Sequence, residues 1–517
     1  MKKIITYLIF LNLGFSNLFA QSVGIGTPSP NPSAILDVSS STQGFLPPRM
    51  TTLQRNAITN KAAGLVIYNT VTNCIEMFNG SNWINFCTSL PSSILQKTLL
   101  GGNMEDRSSY IQQTADGGYI IGGISESTLN GDVTDTSNGG QDCWIVKLDA
   151  TGNIAWHKLM GGDNFEELNQ IRQTADGGYI FCGTTGSSQN GYVTGTSRGG
   201  LDCWVVKLDA NGDTVWNVLI GGAMDDFASA IQQTSDGGYI LGGYSYSSQS
   251  GDVTGVLQGL NDYWVVKLNG TGSIVWNKLL GGSGEEQLSG IIQTSDGGYV
   301  ATGYSTSSAS GNVTGTLSGI FDYWVIKLNA AGTPVWNKLI GGIENPDEFS
   351  TSIKQTIDGG YIVGGRSSSS ASGNITATNN GANDYLVVKL DVSGNITWNK
   401  LLGGSGDESA AAVQQTSDGG YIVVGNSTSS VSGNVTQNTF GAEDIWVVKL
   451  DDVGTIQWSK LYGGNQSDIA SSIQQTTDGG FIISGYTASS ANGSVIGTNK
   501  GANDFWILKL DSQGNIL

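Results

Sequence analysis

The chain is poor in the residues from which most catalytic and metal sites are built. It has one histidine, His157, in 517 residues. That residue stands where Asn277 and Asn337 stand in sister segments, and no Ser-His-Asp set, HExxH pair or Cys-His metal cluster can be assembled around it. Charge is scarce at 13%, and 24 Lys and Arg face 43 Asp and Glu, a formal net charge of −19. With no basic run, a nucleic-acid backbone is excluded as a partner. After the first twenty positions no apolar stretch approaches the roughly 20 residues that a membrane span needs. Proline numbers eight, five of them between Val23 and Ile58, so the rest of the chain is nearly proline-free.

Glycine and aromatics are abundant instead: 76 Gly, 13 Trp, 18 Tyr and 14 Phe. This composition suits many short strands and tight turns. The beginning, "MKKIITYLIFLNLGFSNLFAQS", has the pattern of a secretory signal peptide over 1–20. Lys2 and Lys3 are its positive end, Ile4 to Phe15 its apolar stretch, and Ala20 the small residue before cleavage. Leu18 departs from the small residue preferred two positions earlier. The expected location is therefore secreted or on the outer cell surface.

"DGG" recurs with its Asp at 116, 176, 236, 296, 358, 418 and 478, a spacing of 60 residues broken once by 62. Each copy reads as four strands. "SSIQQT" is followed by an Asp-Gly turn, then "GYIIGGYS", then a Ser/Thr/Gly/Asn-rich loop, then "DYWVVKLD", and a Gly-Asn turn leads into "IxWNKLLGG". No helical period is sustained in the unit. An all-β, seven-bladed β-propeller of four strands per blade follows as the expected fold over 92–517. A solenoid would have shorter rungs. The seventh copy runs only to "DSQGNIL", whereas "SSILQKTLLGG" (92–102) resembles a fourth strand with no blade before it. Residues 94–100 are expected to complete the last blade, with Ile94-Leu95 in the place of Ile516-Leu517 and the exposed sheet edge covered.

Residues 21–91 carry no repeat. "TTLQRNAI" (51–58) fits a short helix capped by Thr51 or Thr52, and 63–87 reads as a three-stranded β unit. A hairpin at Gly80-Ser81 would oppose Phe78 to Trp83, Met77 to Ile84 and Cys74 to Cys87, which makes Cys74–Cys87 the expected disulfide in an oxidising compartment. Cys143 and Cys203 hold a position filled elsewhere by Tyr263 or Phe505 and read as buried hydrophobes, with Cys182 one strand before. "GIGTPSPNPSAILDVSSSTQGFLPPRMTTLQRNAI…AGLVIYNT…MFNGSNWI" resembles the N-terminal module of many exported Bacteroidota proteins, itself similar to phage tail-fibre segments. That resemblance implies self-association through 21–91. The repeats resemble the "DGGY…DYWVVKLD…GNIxW" propeller proteins of the same surface and secreted repertoire, which implies export and a propeller but names no activity.

Carboxylates recur after each "GG": Glu105-Asp106, Glu166-Glu167, Asp225-Asp226, Glu285-Glu286, Asp347-Glu348, Asp407-Glu408 and Asp468. A ring of acids at a channel mouth would take Ca²⁺ or a cationic ligand; the alternative is that each caps a turn within its own blade. No EF-hand or calcium β-roll pattern supports the first, and no cofactor is otherwise implied. The DGG aspartates read as turn residues. Asp142 and its equivalents read as partners of loop amides, and Lys147 and its equivalents as interblade ion pairs. Tyr192, Tyr246 and Phe440 are candidate loop aromatics for stacking on a sugar. The reading is a non-catalytic exported binding or adhesion protein whose loops recognise a glycan or a surface protein. The alternatives are a purely structural secreted scaffold and, less favoured, a polysaccharide-acting hydrolase or lyase.

Overall fold

The computed structural model describes residues 99–343 and 347–517, and in the preceding segment 23–25, 36–40, 42, 45–59, 61–71, 74–78, 80 and 83–85. The signal-peptide segment, Cys87 and residues 94–98 lie outside the described residues. The chain divides into two compact units, Met1–Leu90 and Pro91–Leu517.

In the smaller unit, Val23–Ile25 pairs in parallel with Leu36–Val38. A second sheet runs Arg49–Met50, Leu65–Asn69, Cys74–Phe78, Trp83–Asn85, with only its first pair parallel. The sequence pattern missed Arg49–Met50, a strand too short for any alternation to show. The one helix among the described residues, Thr52–Asn56, starts from Thr51, whose hydroxyl accepts the Gln54 amide while the Gln54 side chain accepts the Thr51 amide, a capping box. Phe78 lies opposite Trp83 and Met77 opposite Ile84. Cys74 is disulfide-bonded, whereas Cys143, Cys182 and Cys203 are free and buried.

The larger unit is built of seven four-stranded antiparallel sheets, in six of which only sequence neighbours pair. The first comprises Asp106–Gln113, Tyr119–Ser125, Asp142–Leu148 and Ile154–Met160. Its opening hairpin turns on Asp116, whose Oδ1 accepts the Gly118 amide at 3.0 Å and the Thr114 hydroxyl at 2.5 Å. Gly117 sits at φ +82, which a side chain resists. Lys147 closes the same hairpin: in all seven sheets this lysine lies 2.8–3.0 Å from the DGG aspartate of its own sheet. The pair is therefore within a blade rather than between blades, because Lys147 lies opposite Ile120 next to the turn.

The core is distributed between sheets. Ile120, Cys143 and Ile145 of the first sheet pack on Ile171, Phe181 and Trp204 of the second. Third strands such as Asp142–Leu148 are buried along their whole length, which explains their lack of polar alternation. The same packing joins the last sheet to the first, where Ile482, Phe505 and Ile507 meet Ile121 and Trp144. Hydrogen bonds also cross that junction, from Ser108 Oγ to the Gly485 carbonyl and from Ser471 Oγ to the Ser108 carbonyl, each 2.7 Å.

The last sheet takes its fourth strand from two places. Leu99 and Leu100 pair with Trp506 and Phe505, the rungs that Leu159 and Met160 occupy in the first sheet. The rung of Ile154, opposite Leu148, is filled by Ile516 opposite Leu510. It is therefore Ile516 that holds the place for which Ile94 also competes in the sequence.

Candidate functional site at the channel

The first strands of all seven sheets surround a cavity of about 320 Å³. It continues into a wider one of about 750 Å³, with Ser109, Asn169, Ser229, Ser289 and Ser471 lining both. Each first strand carries one bulge, as at Ser108/Tyr110, which raises the local twist of the inner strand.

The recurring carboxylates divide into two sets. Asp106, Glu166, Asp226, Glu286, Glu348, Glu408 and Asp468 are 0% exposed. Six of them open a first strand and Glu348 immediately precedes one. Each of those six accepts the amide of the second glycine of the preceding "GG" at 2.6–2.8 Å. A hydroxyl from the second strand adds to this, as from Thr185 to Glu166 at 2.6 Å and from Ser427 to Glu408 at 2.7 Å. These seven acids face their own blades and do not form the surface of the channel mouth. Among the described residues no three His, Cys, Asp or Glu side chains converge as a metal site would require.

The other acids are more open. Glu105 accepts from Asn503 Nδ2 at 2.9 Å and pairs with Arg107 at 3.1 Å. Asp225 accepts the Leu201 amide at 2.9 Å, and Asp407 accepts Asn383 Nδ2 at 2.9 Å. Glu285 is half-buried and forms a backbone bridge with Asn261. Asp347 is exposed. Glu167 alone among these acids lines the wide cavity; burial pushes its carboxyl up and nearby Arg107 opposes the shift.

Each buried acid has a second carboxyl beside it. Asp142 and its equivalents in the other sheets accept a loop amide through Oδ2, as from Asn138 at 2.9 Å and Gln258 at 3.0 Å. Their Oδ1 atoms are buried and unpartnered in all seven sheets. Burial, and for all of them but Asp322 the neighbouring carboxylate as well, pushes Asp262, Asp322, Asp384, Asp444 and Asp504 up to about 6 and Glu348 up to about 7. Burial and a neighbouring carboxylate both disfavour the charged form of such a group.

The rim of the wide cavity is where the repeats stop resembling one another. The residue after each buried acid and its partner on the second strand read Arg107/Ile124, Glu167/Thr184, Phe227/Tyr244, Gln287/Tyr304, Phe349/Arg366, Ser409/Asn426 and Ile469/Tyr486, and all but Thr184, Arg366, Ser409, Asn426 and Ile469 line the cavity. Aromatics gather on one side. Phe227 stacks on Tyr244 at 4.7 Å, Tyr304 meets Phe349 edge-on at 4.9 Å, and Arg366 lies 4.9 Å over the Phe349 ring. Opposite them Arg107 lies 5.8 Å over Tyr486.

Of the aromatics singled out in the sequence, Tyr246 joins this cluster, 6.5 Å from Phe227 and 6.2 Å from Tyr244. Tyr192 and Phe440 are exposed and line neither cavity. Both sit on the long Ser/Thr/Gly-rich loops between second and third strands. The signal that finds the rim is divergence between copies at fixed register, beside positions that are invariant. His157 lies on an outer strand, 2.9 Å from Thr134 Oγ1.

The family described as "phage tail like trimerisation region" matches residues 24–99. A regulatory protein of Caulobacter vibrioides, FlaEY, is 25% identical over 355 residues, covering 63% of this chain. The match spans only 36% of that relative's length. Among solved structures, the Neurospora crassa Pan2 WD40 domain matches at 14% identity and a TM-score of 0.42, covering 78% of this chain and 89% of that one. A protein of unknown function from Dyadobacter fermentans matches at 9% identity and a TM-score of 0.41, covering 79% and 96%. The all-β, propeller-like character of the chain stands on its own sheets and on the contacts that join the last to the first.

Proposed function

We propose that the larger unit is a seven-bladed β-propeller that binds a glycan at the wide mouth of its channel, in an exported protein whose first unit self-associates. The observation that carries the glycan reading is the rim. Copies alike in turns, core and buried polar bonds diverge at paired positions, and those that line the cavity hold aromatics beside Arg107, Glu167 and Gln287. Apolar ring faces with a few polar groups that fix orientation are the usual lining of a small-molecule site. The match of residues 24–99 to a trimerisation region supports self-association, and the first twenty residues support export. Binding without turnover is the proposed activity, since the rim offers one acid, Glu167, rather than a facing pair.

A glycan array probed with the mature protein, with and without EDTA, tests this reading. Binding that survives EDTA is expected, because the seven recurring acids are occupied within their own blades. Binding abolished by EDTA would return calcium to the site. Hydrolysis or elimination of any polysaccharide would overturn the non-catalytic reading.

A further inference from the structure

Deeper in the channel, one residue of each first strand forms a ring: Gln112, Arg172, Gln232, Ile292, Lys354, Gln414 and Gln474, in equivalent positions. The four glutamines share one task. Each Oε1 accepts a backbone amide from the following sheet, Gln173 at 2.8 Å, Gln293 at 2.8 Å, Gln475 at 3.0 Å and Gln113 at 2.6 Å. Arg172 and Lys354 have no oxygen to offer, so the corresponding amides of Gln233 and Gln415 lack the acceptor their counterparts have.

Of the three exceptions two are cations; the third, Ile292, is apolar and also lines the narrow cavity. Arg172 and Lys354 line the narrow cavity, and no Asp or Glu lines it with them. Among the described residues neither takes part in an ion pair, although acids outnumber bases in this chain by 43 to 24. Arg172 is steadied by Gln170 Oε1 at 3.2 Å and by the Tyr110 ring 5.4 Å away. Burial, and after it the charge of Arg172, lowers the Lys354 ammonium to about 7. Two cations sharing a confined space with no counter-charge are unfavourable on their own.

We propose that the narrow part of the channel is an oxyanion site, in which Arg172 and Lys354 hold a sulfate, phosphate or carboxylate group. Guanidinium and ammonium supply charge-assisted donors. The low-dielectric wall of strands strengthens these bonds. The site does not rest on the glycan reading of the rim, though an acidic sugar bound there would be one source of the anion.

The test is calorimetric titration of the mature protein at pH 6 with sodium sulfate, inorganic phosphate and sodium glucuronate, against sodium chloride at matched ionic strength. Saturable binding of at least one oxyanion is expected, weakened tenfold or more in Arg172→Gln and in Lys354→Gln. Both variants install the residue that four other repeats carry at this position, so folding is preserved, and unchanged near-ultraviolet circular dichroism verifies that. Tighter binding of glucuronate than of sulfate or phosphate identifies a sugar acid as the source, and the reverse order a free inorganic anion. No binding beyond chloride, or equal binding by the double variant, overturns the proposal. Either result would leave the glycan-array outcome untouched.

Discussion

A methyl group on Gly161 would lie 2.0 Å from Asp142 Oδ1 and 2.4 Å from Glu166 Oε2. This glycine sits between the two buried carboxyls, and its lack of a side chain lets the third strand of one sheet meet the first strand of the next. Gly161→Ala is therefore expected to destabilise the fold by about 2–4 kcal/mol, the cost of overpacking a site that cannot relax. Gly177 has open space around it but sits at φ +83. Gly177→Ala is expected to cost only about 1 kcal/mol, a backbone effect alone. Urea unfolding of the two variants checks the order; equal losses would mean that the carboxyl pair does not constrain Gly161. At the rim, Tyr244→Ser and Phe349→Ser are expected to weaken glycan binding tenfold or more, read by titration of the best array ligand.

The junction between neighbouring sheets is the element that sets the pH response. Asp262, Asp322, Asp384, Asp444 and Asp504 are raised to about 6 and Glu348 to about 7, mainly by burial. A carboxyl with a raised folded pKa stabilises below its unfolded value and loses that contribution as pH rises through the folded value. The DGG aspartates run the other way. Hydrogen bonds from the Thr hydroxyl and the Lys ammonium bring Asp236 and Asp296 down to about 2, so their contribution is lost only as pH falls through 2. The melting temperature is expected to be higher at pH 5 than at pH 8. A higher value at pH 8 would mean that the paired carboxyls are both ionised at little cost. Four strands per repeat and the DGG turns were legible in the sequence because turn residues and period are local properties. The junction was not. Asp142 and Glu166 lie far enough apart in the chain to read as separate features, a strand opener and a loop acid, and only packing of one sheet on the next joins them.

At the scale of the whole molecule, the last sheet is joined by an early part of the larger unit: Leu99 and Leu100, 5% and 0% exposed, pair with its third strand. Deleting residues 94–100 is expected to lower stability far more than an equal deletion in the loop after Ser427, because it uncovers the edge of Asp504–Leu510 and empties two leucine sites worth about 2–5 kcal/mol each. Equal losses would contradict closure by this segment. The sequence placed the loop aromatics Tyr192 and Phe440 in contention for a ligand by composition. The rim pairs escaped because facing the axis is a property of the closed ring and not of any one repeat. The central claim is that ligand binding belongs to the rim positions where the repeats diverge. Its most direct test is titration of the strongest array ligand into the Tyr304→Ser/Phe349→Ser double variant, with unfolding monitored in parallel. Affinity at least tenfold weaker with near-unchanged melting is the expected result, and full affinity in the double variant would contradict it.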